Sequence, residues 1–275
     1  MEQIEETIHP AQQIAEVIHR VWMRGLTTAS GGNITVRDKS GNIWSTPASV
    51  DKGSLKADDI VCLNSERKSG YKPTSELPFH KAVYNKRSDI NALIHAHPPG
   101  LTTFSMLKSI PTTDIIPDII RICGMPVIAP YKISGSHELA ESVSEEFRKG
   151  HNCIIMENHA TVVGGSSLQE ALQRLETFEL CAAINIHGSK LGNIRRLTAD
   201  ETSEAMELIE ETLADPDNHV KLRALNLIET LDESLVTEEV KNTIRRFEDE
   251  FENQEAAAAG YIFLASERLV DKLGL

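Results

Sequence analysis

The chain lacks an excess of basic residues. Of its 275 residues 28 are Lys or Arg and 41 are Asp or Glu, a formal net charge of −13. Phosphate-backbone binding needs clustered cations to replace counterions, so a nucleic-acid partner is excluded as an expectation. It lacks any apolar run of the length a bilayer requires, which excludes a helical membrane span from the reading. Its four cysteines, Cys62, Cys123, Cys153 and Cys181, stand far apart among apolar neighbours and form no Cys-x-x-Cys. That removes the cysteine-based zinc and redox motifs and leaves the expectation of buried thiols in a reducing compartment. Met1 to Glu6 is acidic and has neither the basic region nor the apolar core of a leader peptide, so a cytoplasmic protein is expected. No internal repeat is evident.

The charge that is present is unevenly placed. Residues 200–275 hold 20 of the acidic and 7 of the basic side chains, so the whole imbalance lies in the last quarter. A solvated helical face accounts for it. Residues 1–197 read as an α/β body and 198–275 as an acidic helical extension. In the extension, apolar stripes recur at Met206, Ile209 and Leu213, over Val220 to Leu231, and at Val240, Ile244, Phe247 and Phe251. The last has heptad-like spacing suited to a partner helix.

In the body, Pro10 to about residue 24 has the apolar spacing of a helix, with Ile14, Val17, Ile18, Val21 and Trp22 on one face and Gly25 as a stop. Ala29-Ser30-Gly31-Gly32-Asn33 then leads into an alternating strand to Arg37, and Asp38 to Asn42 reads as a turn into Ile43–Thr46. The Gly-Gly pair suits either an ordinary turn or an anion-binding nest. Ile60–Leu63 is another short strand, so the opening sheet is expected to be antiparallel. Thr74 or Ser75 is placed to cap a helix running to about Arg87, with Pro78 in its first turn. A helix start carrying two hydroxyls can hold a phosphate. Glu76 there could equally complement the helix dipole or bond to His80 one turn on.

Chemistry concentrates in Ile90-Asn91-Ala92-Leu93-Ile94-His95-Ala96-His97-Pro98-Pro99. Side chains alternate across a strand, so Leu93, His95 and His97 share one face. The prolines end the strand. Two imidazoles at a strand exit are either core residues or two teeth of a metal site, and the pair alone does not separate these. Further on, residues 101–107 read as a short helix, Val127–Tyr131 as a strand, Ser136–Lys149 as a helix and Cys153–Met156 as a buried strand delivering Glu157-Asn158-His159. Gly164-Gly165 reads as a turn, and Ser167-x-x-Glu170 as a capping box for a helix to about residue 189. Three imidazoles and a carboxylate form a donor set suited to Zn²⁺.

Gly31-Gly32-Asn33-Ile34-Thr35, Thr46-Pro47-Ala48-Ser49, Pro73-Thr74-Ser75-Glu76, His95-Ala96-His97 and Glu157-Asn158-His159-Ala160 together resemble the class II aldolase/adducin family, in its order and spacing over roughly residues 10–190. The resemblance implies a three-layer α/β/α fold around a mainly antiparallel sheet, and a homotetramer with active sites between subunits. It implies His95, His97 and His159 as zinc ligands, with Glu76 as a fourth that substrate displaces to serve as general acid/base. Gly32, Asn33, Ser49, Thr74 and Ser75 are implied as the phosphate-binding group. The activity implied is zinc-dependent cleavage of a ketose phosphate, a small phosphorylated carbohydrate, to dihydroxyacetone phosphate and an aldehyde through a metal-stabilised enediolate. Decarboxylases, dehydratases and epimerases share the fold, and adducin heads keep it without the metal ligands. The fuculose-phosphate enzymes carry Thr-Gly where this chain has Ala48-Ser49. They also carry a tyrosine proton donor in the stretch that here reads Thr112-Thr113-Asp114-Ile115, which leaves Tyr131 and Tyr261 as the tyrosines to consider.

Overall fold

The computed structural model describes residues 8–64, 70–198 and 238–251, together with positions 225, 265, 266, 269, 270 and 273. The first helix, α1 (Pro10–Met23), begins with proline at a position that needs no N–H donor, and the His9 side chain accepts from the Ala11 amide at 3.2 Å. Its buried stripe, Ala11, Ile14, Ala15, Ile18 and Val21, packs on the sheet. Gly25, at φ 68°, turns the chain away after the helix ends.

Seven strands follow: β1 (Asn33–Arg37), β2 (Ile43–Ser45), β3 (Val61–Cys62), β4 (Ala92–Ala96), β5 (Val127–Ala129), β6 (Cys153–Met156) and β7 (Ala160–Gly165). They form one sheet in the order β3-β2-β1-β4-β7-β6-β5, antiparallel except for the β5–β6 pair. The helices α2 (Leu77–Lys86), α3 (Pro99–Leu107), α4 (Pro117–Cys123), α5 (His137–Arg148) and α6 (Leu168–Leu191) complete the body, and α7 (Glu238–Phe251) lies in the last quarter. The expected three-layer α/β/α arrangement is the one observed.

Strand alternation sorts the core into two slabs. Ala92, Ile94 and Ala96 of β4 face α1, α3 and α6 beside Ile34, Leu101, Leu175 and Phe178. Leu93 faces α2 and α5 beside Phe79, Val83, Val143 and Phe147. The apolar side of β1 contributes Ile34 and Val36 to the first slab. Its other side presents Asn33, Thr35 and Arg37, so a polar ladder enters the α2 side of the molecule. Asn33 pairs directly with His95 and Thr35 with Leu93 across β1 and β4.

Three features depart from the sequence expectation. Gly164 and Gly165 do not turn the chain but end β7, which pairs with both β4 and β6. They are glycines because a Cβ at Gly164 would meet Phe147 Cε1 at 2.7 Å, and one at Gly165 the Ala171 amide nitrogen at 2.7 Å. Helix α4 was not expected, because seven residues after Pro117 carry too little periodicity to register. Cys62 is half-buried rather than enclosed, being on the short edge strand β3. Within the extension, Val240, Ile244 and Phe247 of α7 are buried. Leu225 is buried too, whereas the Met206–Leu213 stripe, the rest of Val220–Leu231, Tyr261 and the first six residues lie outside the described residues. Among the described residues no helix is long and apolar enough to cross a membrane.

The close approach at Gly164 has a measurable consequence. Gly164→Ala is expected to destabilise the protein by about 1–3 kcal/mol, since Phe147 and Ile90 must give way in a packed core. Urea unfolding would check it, and an unchanged midpoint would contradict the packing described.

Candidate metal centre and its surroundings

The strand β4 carries His95 near its last residue and releases His97 just beyond it. His159 arrives from the turn between β6 and β7, where Asn158 takes a left-handed conformation at φ 50° and lets three residues, 157–159, reverse the chain. The three rings meet with centroids 4.7, 4.9 and 5.5 Å apart. Each offers a ligand atom, and these atoms lie within 4.8 Å of one another. That spacing suits ligation of one cation.

Glu76 completes the cluster from the start of α2. Its Oε2 is 3.0 Å from His95 Nε2 and its Oε1 is 3.6 Å from His159 Nε2. Asn33 Nδ2 donates to Oε2 at 2.8 Å, and the Ser134 hydroxyl donates to Oε1 at 2.6 Å. Burial opposes ionisation of Glu76, but the bonds donated by Ser134 and Asn33 favour it. They hold the carboxyl below the usual carboxylate range. Glu76 is itself the N-cap of α2, with no side-chain cap bond, instead of the expected Thr74 or Ser75. The carboxylate that could have capped the helix faces the histidines. Nor does Glu76 bond directly to His80: Asn33 stands between them, its Oδ1 2.5 Å from His80 Nε2.

The histidines fit a metal ion on their own geometry. His95 Nδ1 lies 2.9 Å from the Thr161 carbonyl, which can only accept, so Nδ1 carries the proton and Nε2 presents its lone pair toward Glu76. A ring nitrogen donating to a backbone carbonyl is the usual outer support of a metal-bound imidazole. His95 Nε2 and His97 Nδ1 are both buried with no hydrogen-bond partner. Burial and mutual repulsion push the His97 pKa down to about 3 and lower that of His159, so both are neutral and available as ligands.

The hydroxyl- and glycine-rich pieces gather beside this cluster. Segments 46–48 and 72–74 run side by side, through a Pro47–Pro73 bridge and bonds from Ala48 N to Lys72 O and from Thr74 N to Thr46 O. This brings the Ser49 loop near Thr74 and Ser75. Ser49 has a left-handed backbone at φ 58°. Gly32, at φ 68°, could not carry a side chain, since its Cβ would lie 2.8 Å from Thr27 Oγ1 and 2.9 Å from His95 O. Tyr131 is exposed, and its backbone amide donates to Glu157 Oε2 at 3.2 Å. A separate cavity of about 490 Å³ opens at the other end of the sheet, lined among others by His9, Arg37, Trp44 and Asn91. It contains none of these groups.

Sequence reasoning missed several contributors. Ser134 precedes α5 in Ser134-Gly135-Ser136, where a serine reads only as cap or loop. Lys52 is 2% exposed and its ammonium donates to Pro47 O and Val50 O, which staples the Ser49 loop from inside. His80 and Thr35 could have been flagged as polar residues at core positions of their elements. Glu179 of α6 accepts from the Gly100 and Leu101 amides at 2.8 and 2.9 Å, capping α3 just after the His95–His97 strand. No local pattern announces that cap.

The sequence profile of the Class II Aldolase and Adducin N-terminal domain matches residues 12–186. The chain belongs to this family. A 3-oxo-tetronate 4-phosphate decarboxylase of Pectobacterium atrosepticum is 32% identical over 190 residues, which are 66% of this chain and 86% of the relative. An L-fuculose phosphate aldolase of Methanococcus maripaludis is 34% identical over 176 residues, 63% of this chain and 94% of that one. Among solved structures an L-fuculose 1-phosphate aldolase superposes with a TM-score of 0.65 at 27% identity, covering 73% of this chain and 96% of its own. The match places the chain with enzymes of the family whose named relatives are lyases, and class II aldolases use a divalent metal.

Two outcomes follow from this geometry. Metal analysis is expected to find one divalent ion per chain in the parent protein and none in His95→Ala or His97→Ala. Chelation is expected to lower thermal stability, since a ligand at 100 times its Kd stabilises by about 2.7 kcal/mol. The second concerns His80, whose burial pushes its pKa down to about 3. Between pH 6.5 and 5 the unfolded chain binds a proton there that the folded chain refuses. The chelated protein is therefore expected to lose about 1–2 kcal/mol of stability over that interval from His80 alone. Denaturant unfolding at the two pH values would check it, and a flat profile would contradict it.

Proposed function

We propose that the protein is a zinc-dependent lyase that forms the enediolate of dihydroxyacetone phosphate, acting as an aldolase on a small ketose phosphate. The observation that supports this most is the Glu76 carboxylate, ionised and buried, placed 3.0 Å from a histidine nitrogen whose lone pair faces it. His95, His97, His159 and Glu76 would hold the ion, and an imidazole-rich donor set favours zinc. When bound, the ion supplies electrophilic stabilisation of the negative charge that develops on adjacent substrate oxygens.

The remaining work falls to this chain's own groups. Glu76, once released toward substrate, moves the proton at the carbon that becomes nucleophilic. Its depressed pKa keeps it ionised and ready to accept. The Gly32 amide, Asn33, Ser49, Thr74 and Ser75 would hold the phosphate, with the N-terminus of α2 adding its partial positive charge. Lys52 sets the shape of the Ser49 loop through the two carbonyls it binds.

A second reading, decarboxylation of a 3-oxo acid phosphate, draws support from Thr112-Thr113-Asp114-Ile115, where no tyrosine stands. Retro-aldol cleavage must take a proton from the hydroxyl that becomes the aldehyde. Loss of carbon dioxide from a carboxylate needs no such step. Loss of carbon dioxide from a 3-oxo-tetronate 4-phosphate leaves the same three-carbon enediolate, so the two readings share their central intermediate.

That shared step gives the test. Zinc-loaded protein in D₂O is expected to exchange one hydroxymethyl proton of dihydroxyacetone phosphate, followed by NMR. Glu76→Gln is expected to slow exchange by about 10²–10⁴-fold. No exchange by the metal-loaded parent would overturn the proposal. Release of an aldehyde from ketose phosphates, against release of carbon dioxide from 3-oxo-tetronate 4-phosphate, then separates the two readings.

A further inference from the structure

Behind Glu76 lies a line of polar side chains, of which the proposed chemistry uses only Asn33. His80 and Thr35 are fully buried, and Tyr84 and Asn33 are 4% and 5% exposed. They connect in series. Tyr84 Oη is 2.9 Å from Thr35 Oγ1, which is 2.8 Å from His80 Nδ1. His80 Nε2 is 2.5 Å from Asn33 Oδ1, and Asn33 Nδ2 is 2.8 Å from Glu76 Oε2.

The chemistry of the last acceptor fixes the direction of each bond from Glu76 back to Thr35. An ionised carboxylate only accepts, so Asn33 must turn its NH₂ toward Glu76 and its carbonyl toward His80. A carbonyl also only accepts, so His80 must carry its proton on Nε2. Neutral imidazole then leaves a lone pair on Nδ1, which requires Thr35 to donate its hydroxyl hydrogen. Tyr84 donates in turn, to Thr35 Oγ1 or to the Thr35 carbonyl 3.0 Å away. Had His80 taken the other tautomer, its Nε2 lone pair would face the Asn33 carbonyl, or the amide would flip and put its carbonyl oxygen against Glu76. Either places two acceptors in contact among buried residues, an arrangement that costs more in low dielectric.

We infer that Tyr84, Thr35, His80 and Asn33 form a one-way hydrogen-bond relay, in which His80, held as the Nε2–H tautomer, is a positioning residue for the carboxylate of Glu76. The relay sets which face of the Asn33 amide Glu76 meets and so where Oε2 rests. Its members reach Glu76 from two rigid elements, β1 and α2. One N–H of Asn33 is left for phosphate. Ser134 grips Oε1 from the loop after β5, so only the Oε2 side is tied to the core. The inference rests on the acid/base role proposed for Glu76, but its central claim, the tautomer, can be read without catalysis.

The test uses the full, zinc-loaded chain. Nitrogen-15 NMR of labelled histidine is expected to show His80 with a protonated Nε2 and a bare Nδ1. An Nδ1–H tautomer or an imidazolium at neutral pH would overturn the relay, whether or not the protein turns over any substrate. With dihydroxyacetone phosphate in D₂O as probe, Thr35→Val is expected to keep its zinc while kcat for exchange falls about 10–100-fold, the usual range for an outer support, with KM within about twofold. Thr35→Ser, which restores the hydroxyl, is expected to recover most of that loss. Parent-like exchange in Thr35→Val, or a serine variant no better than valine, would overturn the positioning role. Should Thr35→Val fail to fold, the tautomer and the serine variant decide. Absence of exchange in the parent would instead sink the enediolate reading and leave the tautomer result standing.

Discussion

A buried carboxylate that must stay ionised is the constraint from which the rest of the site is arranged. Removing Glu76 from water is unfavourable unless its oxygens are answered. Both are, Oε2 by the Asn33 amide and Oε1 by the Ser134 hydroxyl, with ring nitrogens of His95 and His159 facing them where a shared cation would bind. Each of these groups comes from a different element, β1, β4, the β5–α5 loop and the β6–β7 turn. The carboxylate therefore acts as the point where four segments of the sheet's active end are held together. It also explains why α2 starts without a side-chain cap, an interaction ordinarily worth about 1 kcal/mol.

The sheet pays no visible penalty for this in its core. Strand β1 divides its sides cleanly, with Ile34 and Val36 in the α1–α6 slab and Asn33, Thr35 and Arg37 on the α2 side. Polar residues at core positions usually mark a fault or a function. Here each is satisfied, Arg37 by the carbonyls of Tyr84, Arg87, Ser88 and Ile90. Close approach at Gly31, Gly32 and Gly164 lets the loops and β7 come near enough to the histidines and to Phe147 for this arrangement to exist.

The family relation and the site agree on the chemistry and leave the choice of leaving group to details of the pocket. An ion held by three imidazoles serves retro-aldol cleavage and decarboxylation alike, because both create the same kind of charge on adjacent oxygens. The difference lies in who handles the proton of the hydroxyl that becomes an aldehyde. The chain's departures at Ala48-Ser49 and Thr112–Ile115 fall on the stretches proposed for the phosphate and for that proton, rather than on the residues proposed as metal ligands. Relatives bearing aldolase and decarboxylase names at similar identity fit the same division.

By itself the sequence determined the elements whose signals are local. Apolar periodicity located α1, early acidic residues α5 and a capping box α6, the alternation and the two prolines located β4 and the shared face of its histidines, and the ordered motifs gave the family. What only the tertiary structure decided was everything that depends on who stands opposite whom. Ser134 on Glu76, Glu179 capping α3, Lys52 inside the Ser49 loop and Asn33 between Glu76 and His80 join residues 43 to 79 positions apart, or loops whose serines and lysines look like any others. Gly164 and Gly165 misled for the same reason: their need for glycine comes from Phe147 and Ala171, not from a turn. A strand's faces are a property of its own backbone period, whereas a buried hydrogen bond is a property of two segments that only folding brings together.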